Sequence, residues 1–285
     1  MEQLFLVSVI YNIYLMYMFG GKSGTMEKTI RAEYVCNAGI LLYFADYVIG
    51  VDVFASCENG IYRNTPSRQR ETIFRLIREN RLKLLIFTHY HCDHYCRADV
   101  LEAMRTAAEN DNPLRILTTG QTAEDLIAGG ADPARVVICS ESSCYDGFGQ
   151  PSKEEPGGVK ITGFYTRHDG HQYETVENLV FLMTYSGQKI IFTGDAAPDA
   201  VLFERIGHWS KQIDRMFVPF PFVGLVSARK KMEKELQVKQ VAAFHLPRPE
   251  CDSQGWYANT CKVCAQAKDS LPEPVFLTDP GTDFS

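Results

Sequence analysis

An excess of positive charge is the first thing this 285-residue sequence lacks: 29 Lys plus Arg stand against 35 Asp plus Glu, a formal net charge of −6. Nucleic-acid binding draws on a basic surface, so this balance argues against DNA or RNA as the main partner. Internal repeats, low-complexity blocks and a Pro-, Gly- or Ser-rich linker are missing too, so nothing divides the chain into halves. With 45% hydrophobic and 22% charged residues, the disordered, collagen-like and small disulfide-framework classes are excluded. The chain is long enough to bury a core without covalent staples. An even number of cysteines is also lacking. The nine, at 36, 57, 92, 96, 139, 144, 251, 261 and 264, cannot all pair. Their scatter reads as mostly buried free thiols in a reducing, cytoplasmic setting.

No apolar run reaches the ~20 residues that span a bilayer. The run from Leu4 to Phe19 stops short, and Glu2, rather than a basic cluster, precedes it, so it fits a transmembrane helix or a signal peptide poorly. Three readings of residues 1–25 stay open: an apolar extension ahead of a natural start at Met26, a membrane anchor, or a structural element. Residues 26–285 read as one domain of short apolar strands interspersed with helices. "GILLYF" and "YVIGVDVF" form a strand pair, a helix covers 66–80, and "LKLLIFT" is a fully buried strand before a helix at about 98–109. Strands "RILTT" and "RVVICS" flank a helix near 121–128. A Ser-, Gly- and Pro-rich loop at 140–158, a candidate lid, precedes strands "VKITGFYT", "NLVFLMTY" and "KIIFTG". A helix is expected from Pro198, a charged one near 227–238, and a strand "QVAAF" at 240–244. Mixed strands and helices in this order make an α/β or α+β domain of packed layers.

Five places share one property: a polar residue or cluster directly follows a buried strand. They are Asp52, the run "THYHCDH", His168, Asp195 and His245, and five of the seven histidines fall there. Strand ends are where a rigid sheet presents functional groups. His89 and His91, two apart on extended chain, project to one side. The chain then turns, carrying Asp93 and His94 to a neighbouring position. Imidazole nitrogens and carboxylate oxygens are ligands for Zn, Mn or Fe. His89, His91 and His168 would hold one ion, Asp93, His94 and His245 a second, and Asp195 would bridge them. Such a pair lowers the pKa of a shared water toward ~7 and stabilises oxyanion charge.

His-x-His-x-Asp-His, a later histidine, an Asp in Thr-Gly-Asp and a late histidine after a strand resemble the metallo-β-lactamase fold hydrolases. The likeness runs in order from Met26 through nearly the whole chain. The stretch "RHDGHQYETVENLVFLMTYSGQKIIFTGD" looks most like a branch of lactonase-type and uncharacterised hydrolases. The resemblance implies an α+β, four-layer αββα sandwich with a dinuclear site at one edge. It also favours His168 over His171 as ligand and gives Asp52 an orienting role behind the metal. The expectation is a hydrolase that uses a metal-bridged hydroxide on an ester-type bond, a lactone or phosphodiester, of a small anionic metabolite. Two divalent ions are implied, zinc first, with Mn or Fe as alternatives. No nucleic acid or membrane partner is expected, and nothing in the sequence sets the oligomeric state. Two other classes stay open: a non-catalytic metal-binding regulator, and a di-iron redox member, although that branch carries Glu where this chain has His91.

Several residues have plainer readings. Asp195 could cap the helix after it. His171 is either a proton donor, a substrate contact or an exposed polar residue. His208 beside Trp209 reads as packed, and Cys92 as packing turned away from His91. Cys261 and Cys264 form a Cys-x-x-Cys with Cys251 upstream but no second pair, which argues against a structural zinc. "GGKSG" at 20–24 lacks the earlier glycine and strand–helix context of a phosphate loop. The arginines at 63, 68, 70, 75, 78 and 81 read as a solvated face, with Arg63 or Arg68 placed to approach an anionic substrate.

Overall fold

The computed structural model describes residues 30–58, 60–140, 144–145 and 158–284. The readings of residues 1–25 and of most of the 140–158 loop lie outside them. Strands β1 (Arg31–Cys36), β2 (Gly39–Tyr43) and β3 (Val48–Val51) form an antiparallel run. Parallel strands β4 (Leu82–Ile86), β5 (Arg115–Thr118) and β6 (Val136–Ile138) extend it. Helices α1 (Ser67–Arg78), α2 (Arg97–Glu109) and α3 (Gly120–Ala128) connect these parallel strands. The second sheet holds β7 (Cys144–Tyr145), β8 (Lys160–Arg167), β9 (Glu177–Tyr185), β10 (Gln188–Phe192), β11 (Arg215–Pro219), β12 (Val241–Phe244) and β13 (Val275–Phe276). Its helices are α4 (Ala200–Trp209), α5 (Pro221–Gly224), α6 (Val226–Lys234) and α7 (Trp256–Gln266). The last strand, β14 (Asp283–Phe284), returns to pair with β1 in the first sheet, giving two seven-stranded sheets.

Side chains that alternate along each strand sort the core into three layers. Ile86 and Leu84 of β4 face Phe181, Phe192 and Phe217 between the sheets. Leu82 and Leu85 instead meet Ile73, Ile77 and Val100 of α1 and α2. On the far side, Ile191, Met216 and Val218 pack on Leu202, Phe203 and Ile206 of α4. Strands apolar on both faces need cover on both, and the result is helix, sheet, sheet, helix. The αββα expectation is met.

Local differences from the sequence reading have physical causes. Helix α4 begins at Ala200 rather than Pro198, because Asp199 is the cap: its carboxylate accepts from Leu202 N at 3.0 Å. That removes the capping alternative for Asp195. His208 is exposed on α4, not packed. Helix α7 escaped the apolar-spacing test because, apart from Thr260, none of its side chains is fully buried. No helix among the described residues is long and apolar enough to cross a membrane.

Candidate metal centre

Loops at the carboxyl ends of β3, β4, β8, β10 and β12 meet at one edge between the sheets. Two of the residues that leave these strands, Asp52 (φ 48°) and His245 (φ 62°), adopt the left-handed backbone that L-residues avoid. Such strain persists where the surrounding structure imposes it, and here it turns both side chains inward. Between Phe192 and Asp195 the chain also passes through Gly194 at φ 52°, where a Cβ would stand 2.8 Å from the Thr88 Cβ. Only glycine fits there.

Asp52 does the holding. Its carboxylate accepts from Thr88 N at 2.8 Å, from Thr88 Oγ1 at 2.6 Å and from His94 Nδ1 at 2.9 Å. With Nδ1 committed, His94 turns Nε2 toward the cluster. His168 is fixed the same way, its Nδ1 donating to the Asp169 carbonyl at 2.6 Å. Asn37 Nδ2 donates to both the carbonyl and Oδ2 of Asp93 at 3.1 Å. The Asn178 side chain accepts from Asp195 N at 2.9 Å. Neither asparagine follows a pattern that sequence inspection could flag; each acts through segments brought together only by folding.

Two adjacent groups result. Metal-binding atoms of His89, His91 and His168 lie within 4.8 Å of one another, and so do those of Asp93, His94, Asp195 and His245. Asp195 faces both: Oδ2 is 2.9 Å from His245 Nε2, 3.6 Å from His168 Nε2 and 4.0 Å from His89 Nε2, while Oδ1 is 3.3 Å from His94 Nε2. His245 Nε2 also lies 3.0 Å from Asp93 Oδ2. His171 is not brought in; it is solvent-exposed and meets Glu174 Oε1 at 3.1 Å.

The donor set fits metal ions. His89 Nε2, His94 Nε2, His168 Nε2 and Asp195 Oδ1 are buried without a hydrogen-bond partner. Each such atom costs about 1–3 kcal/mol when left unmatched, and four aimed into one space are the complement of cations. Protonation suits the first group directly, whereas the second group's histidines must release a proton when a cation binds. Burial pushes His89 and His91 down, His91 to about 4, and nearby imidazoles add to the fall, so both offer lone pairs at neutral pH. Burial opposes the charge on His94 too, but Asp195 and Asp93 outweigh it and raise it to about 10; the same carboxylates raise His245. Against the cost of burial, His94 and His245 in turn hold Asp93 down at about 2 and push Asp195 well below the usual carboxylate range.

The site opens into a cavity of about 530 Å3, within the range of small-molecule pockets. Tyr62, Tyr173, Phe220 and Trp256 form its apolar wall. The Tyr62 ring lies 4.0 Å from that of His245, and Phe220 stacks on Trp256 at 6.0 Å. No Lys or Arg lines it among the described residues. Arg63 instead lines a separate cavity of about 270 Å3 with Arg248, and Arg70 pairs with Asp99 on the helical face.

The cysteines depart from expectation. Cys57 and Cys92 are disulfide-bonded, and Cys92 lines the cavity beside His91 instead of turning away. Among the described free thiols only Cys36 and Cys139 are fully buried. Cys251, Cys261 and Cys264 join no metal-binding group among the described residues.

Residues 59–251 match the family described as beta-lactamase superfamily domain. The chain belongs to the metallo-β-lactamase superfamily, whose members of this kind are metal-dependent hydrolases. Solved structures agree on the fold. The metallo-beta-lactamase fold protein YhfI from Bacillus subtilis is 15% identical with a TM-score of 0.59, covering 90% of this chain and 98% of its own. Igni18, a metallo hydrolase from the archaeon Ignicoccus hospitalis, is 15% identical at TM-score 0.56 with the same coverage. An isothiocyanate hydrolase from Delia radicum gut bacteria is 11% identical at TM-score 0.60, again covering 90% and 98%. No curated protein matches the chain.

Proposed function

We propose that the protein hydrolyses an ester-type bond in a small molecule, a lactone or carboxylic ester ahead of a phosphodiester, at a dinuclear metal centre. The observation that carries this is the convergence of seven side chains into two adjacent groups at the floor of an aromatic-walled cavity, with Asp195 of the second group 3.6 Å from His168 and 4.0 Å from His89 of the first. Two divalent ions, zinc first and Mn or Fe as alternatives, would be held by His89, His91 and His168 and by Asp93, His94 and His245, supplying water activation at neutral pH and positive charge for an oxyanion. The remaining work belongs to the chain. Asp195 sets the spacing of the two groups, and Asp52 fixes the face that His94 presents. Burial raises the Tyr62 phenol, so it stays a neutral hydrogen-bond donor beside His245, placed to serve the leaving oxygen. Phe220 and Trp256 offer an apolar seat. The absence of cationic lining among the described residues turns the reading away from a strongly anionic substrate.

The test is a panel of lactones, phosphodiesters, thioesters and β-lactams on metal-loaded protein, with Asp195→Ala alongside. Ester or lactone turnover is expected from the natural chain. Orienting partners of metal ligands already contribute 10–100-fold, so loss of the shared carboxylate should cost more than about 100-fold together with bound metal. A folded Asp195→Ala protein with full metal content and rate would overturn the shared role. An iron-rich, coloured protein that consumes oxygen and hydrolyses nothing in the panel would replace hydrolysis with oxygen chemistry, and metal binding without turnover of any substrate class would favour a regulator.

A further inference from the structure

One cluster beside the centre is unused by hydrolysis. Cys57, in the segment after β3, and Cys92, between the ligands His91 and Asp93, are bonded with their Cα atoms 5.1 Å apart. Both line the cavity, and one donor atom from each of Cys57, Cys92 and Asp93 lies within 4.8 Å of the other two. Cys57 is 5% exposed, whereas Cys92 is open to solvent, so a reagent can reach the bond from that side. Hydrogen bonds independent of sulfur hold the same segments together. Ser56 N donates to the Cys92 carbonyl at 2.7 Å, Cys57 N donates to Asn64 Oδ1 at 2.7 Å, and Asn37 anchors Asp93. Opening the disulfide therefore leaves both sulfurs beside the carboxylate.

We propose that this pair, once reduced, is a third metal site for a thiophilic divalent cation such as zinc or cadmium, held by Cys57 Sγ, Cys92 Sγ and one oxygen of Asp93. Tetrahedral zinc, with ~2.3 Å to sulfur and ~2.0–2.2 Å to oxygen, needs donors roughly 3.5–4 Å apart, which the cluster allows after the sulfurs separate. Two thiolates select soft cations over magnesium or calcium. In the opening step two small thiols exchange with one protein disulfide, giving two protein thiols and one small-molecule disulfide. The cation then displaces one proton from each thiol. Asp93 also faces His94 and His245, so the new site and the second group share a carboxylate, and thiol state sets how the cavity distributes metal.

The experiment compares zinc-loaded protein in oxidised and thiol-reduced form, freed of reductant under an inert atmosphere and titrated with cadmium. Reduced protein should take up one further equivalent and develop ultraviolet thiolate-to-cadmium charge-transfer absorption; oxidised protein should do neither. Cys57→Ser/Cys92→Ser should lose both responses, whereas Cys251→Ser/Cys261→Ser/Cys264→Ser should keep them. Equal uptake by the two wild-type forms, or absorption persisting in Cys57→Ser/Cys92→Ser, overturns the site. Should that variant not fold, alkylation mapping of reduced wild type decides instead: cadmium must shield residues 57 and 92, and unshielded thiols reject the proposal. The readout is a difference in metal count, so it stands or falls separately from ester hydrolysis.

Discussion

His94 can serve a metal ion through only one nitrogen, and Asp52 decides which. Its carboxylate occupies Nδ1 at 2.9 Å and so leaves the buried Nε2 facing Asp195. Replacing Asp52 by Ala frees the ring to rotate and strips Thr88 N of its acceptor. The expected result is a folded protein whose second group binds metal about 10–100-fold more weakly, read by competition with a chelator of known strength. Unchanged affinity would make Asp52 an ordinary turn residue. Thr88 belongs to the same argument, since it also meets His89 Nδ1 at 3.1 Å. One threonine thus links the orienting carboxylate to a candidate ligand of each group.

Between residues and the whole lie the strand-end turns, and Gly194 shows what they demand. An alanine there keeps an unfavourable left-handed φ and drives its Cβ against Thr88 and Asn178. Strain of this kind costs about 1–3 kcal/mol. Gly194→Ala should therefore lower denaturant stability by that amount and reduce metal content, because Asp195 follows directly; a variant equal to wild type in both would refute the close-approach argument. A second test sits at α6, where the buried Arg229 grips the half-buried Asp269 through two hydrogen bonds of 2.8 and 2.7 Å. Arg229 holds the Asp269 carboxyl below its usual range. A depressed folded pKa stabilises above the unfolded value of ~3.9 and is lost as pH falls through the folded one. Asp269→Asn should cost about 1–3 kcal/mol near pH 7, with the gap narrowing below about pH 4 in urea titrations; a gap independent of pH would show that charge is not its source. These elements also mark how far the sequence could be read. Most sheet strands and α1 to α3 announce themselves through apolar spacing, and "THYHCDH" is contiguous, so the fold class and the candidate metal-binding residues were legible, whereas the short strands β11, β13 and β14 were not. Asn37, Asn178, Tyr62 and Trp256 were not, because their partners arrive from distant segments. The Cys57–Cys92 pair was hidden for the same reason: β3 and β4 are neighbours only once folded.

At the scale of the molecule, the proposed ligands come from both halves of the sandwich. His89, His91, Asp93 and His94 leave the first sheet at β4, while His168, Asp195 and His245 leave the second at β8, β10 and β12. Elsewhere the sheets meet mainly through the apolar layer of Phe181, Phe192 and Phe217 against Ile86 and Leu84. At this edge they meet through imidazoles and carboxylates with unpartnered buried atoms. Ions held there would join the two sheets across an otherwise poorly matched polar seam. Binding to the folded state alone stabilises it by about 2.7 kcal/mol at 100 times Kd. For a chain of this size each kcal/mol moves Tm by roughly 2–4 °C, so stripping the metal should lower Tm by about 5–10 °C, and added zinc should restore it. Asp195→Ala should start near the stripped value and respond little to zinc. If verified metal removal left Tm unchanged, the polar seam would be carrying itself, and the ions would not be the link between the sheets.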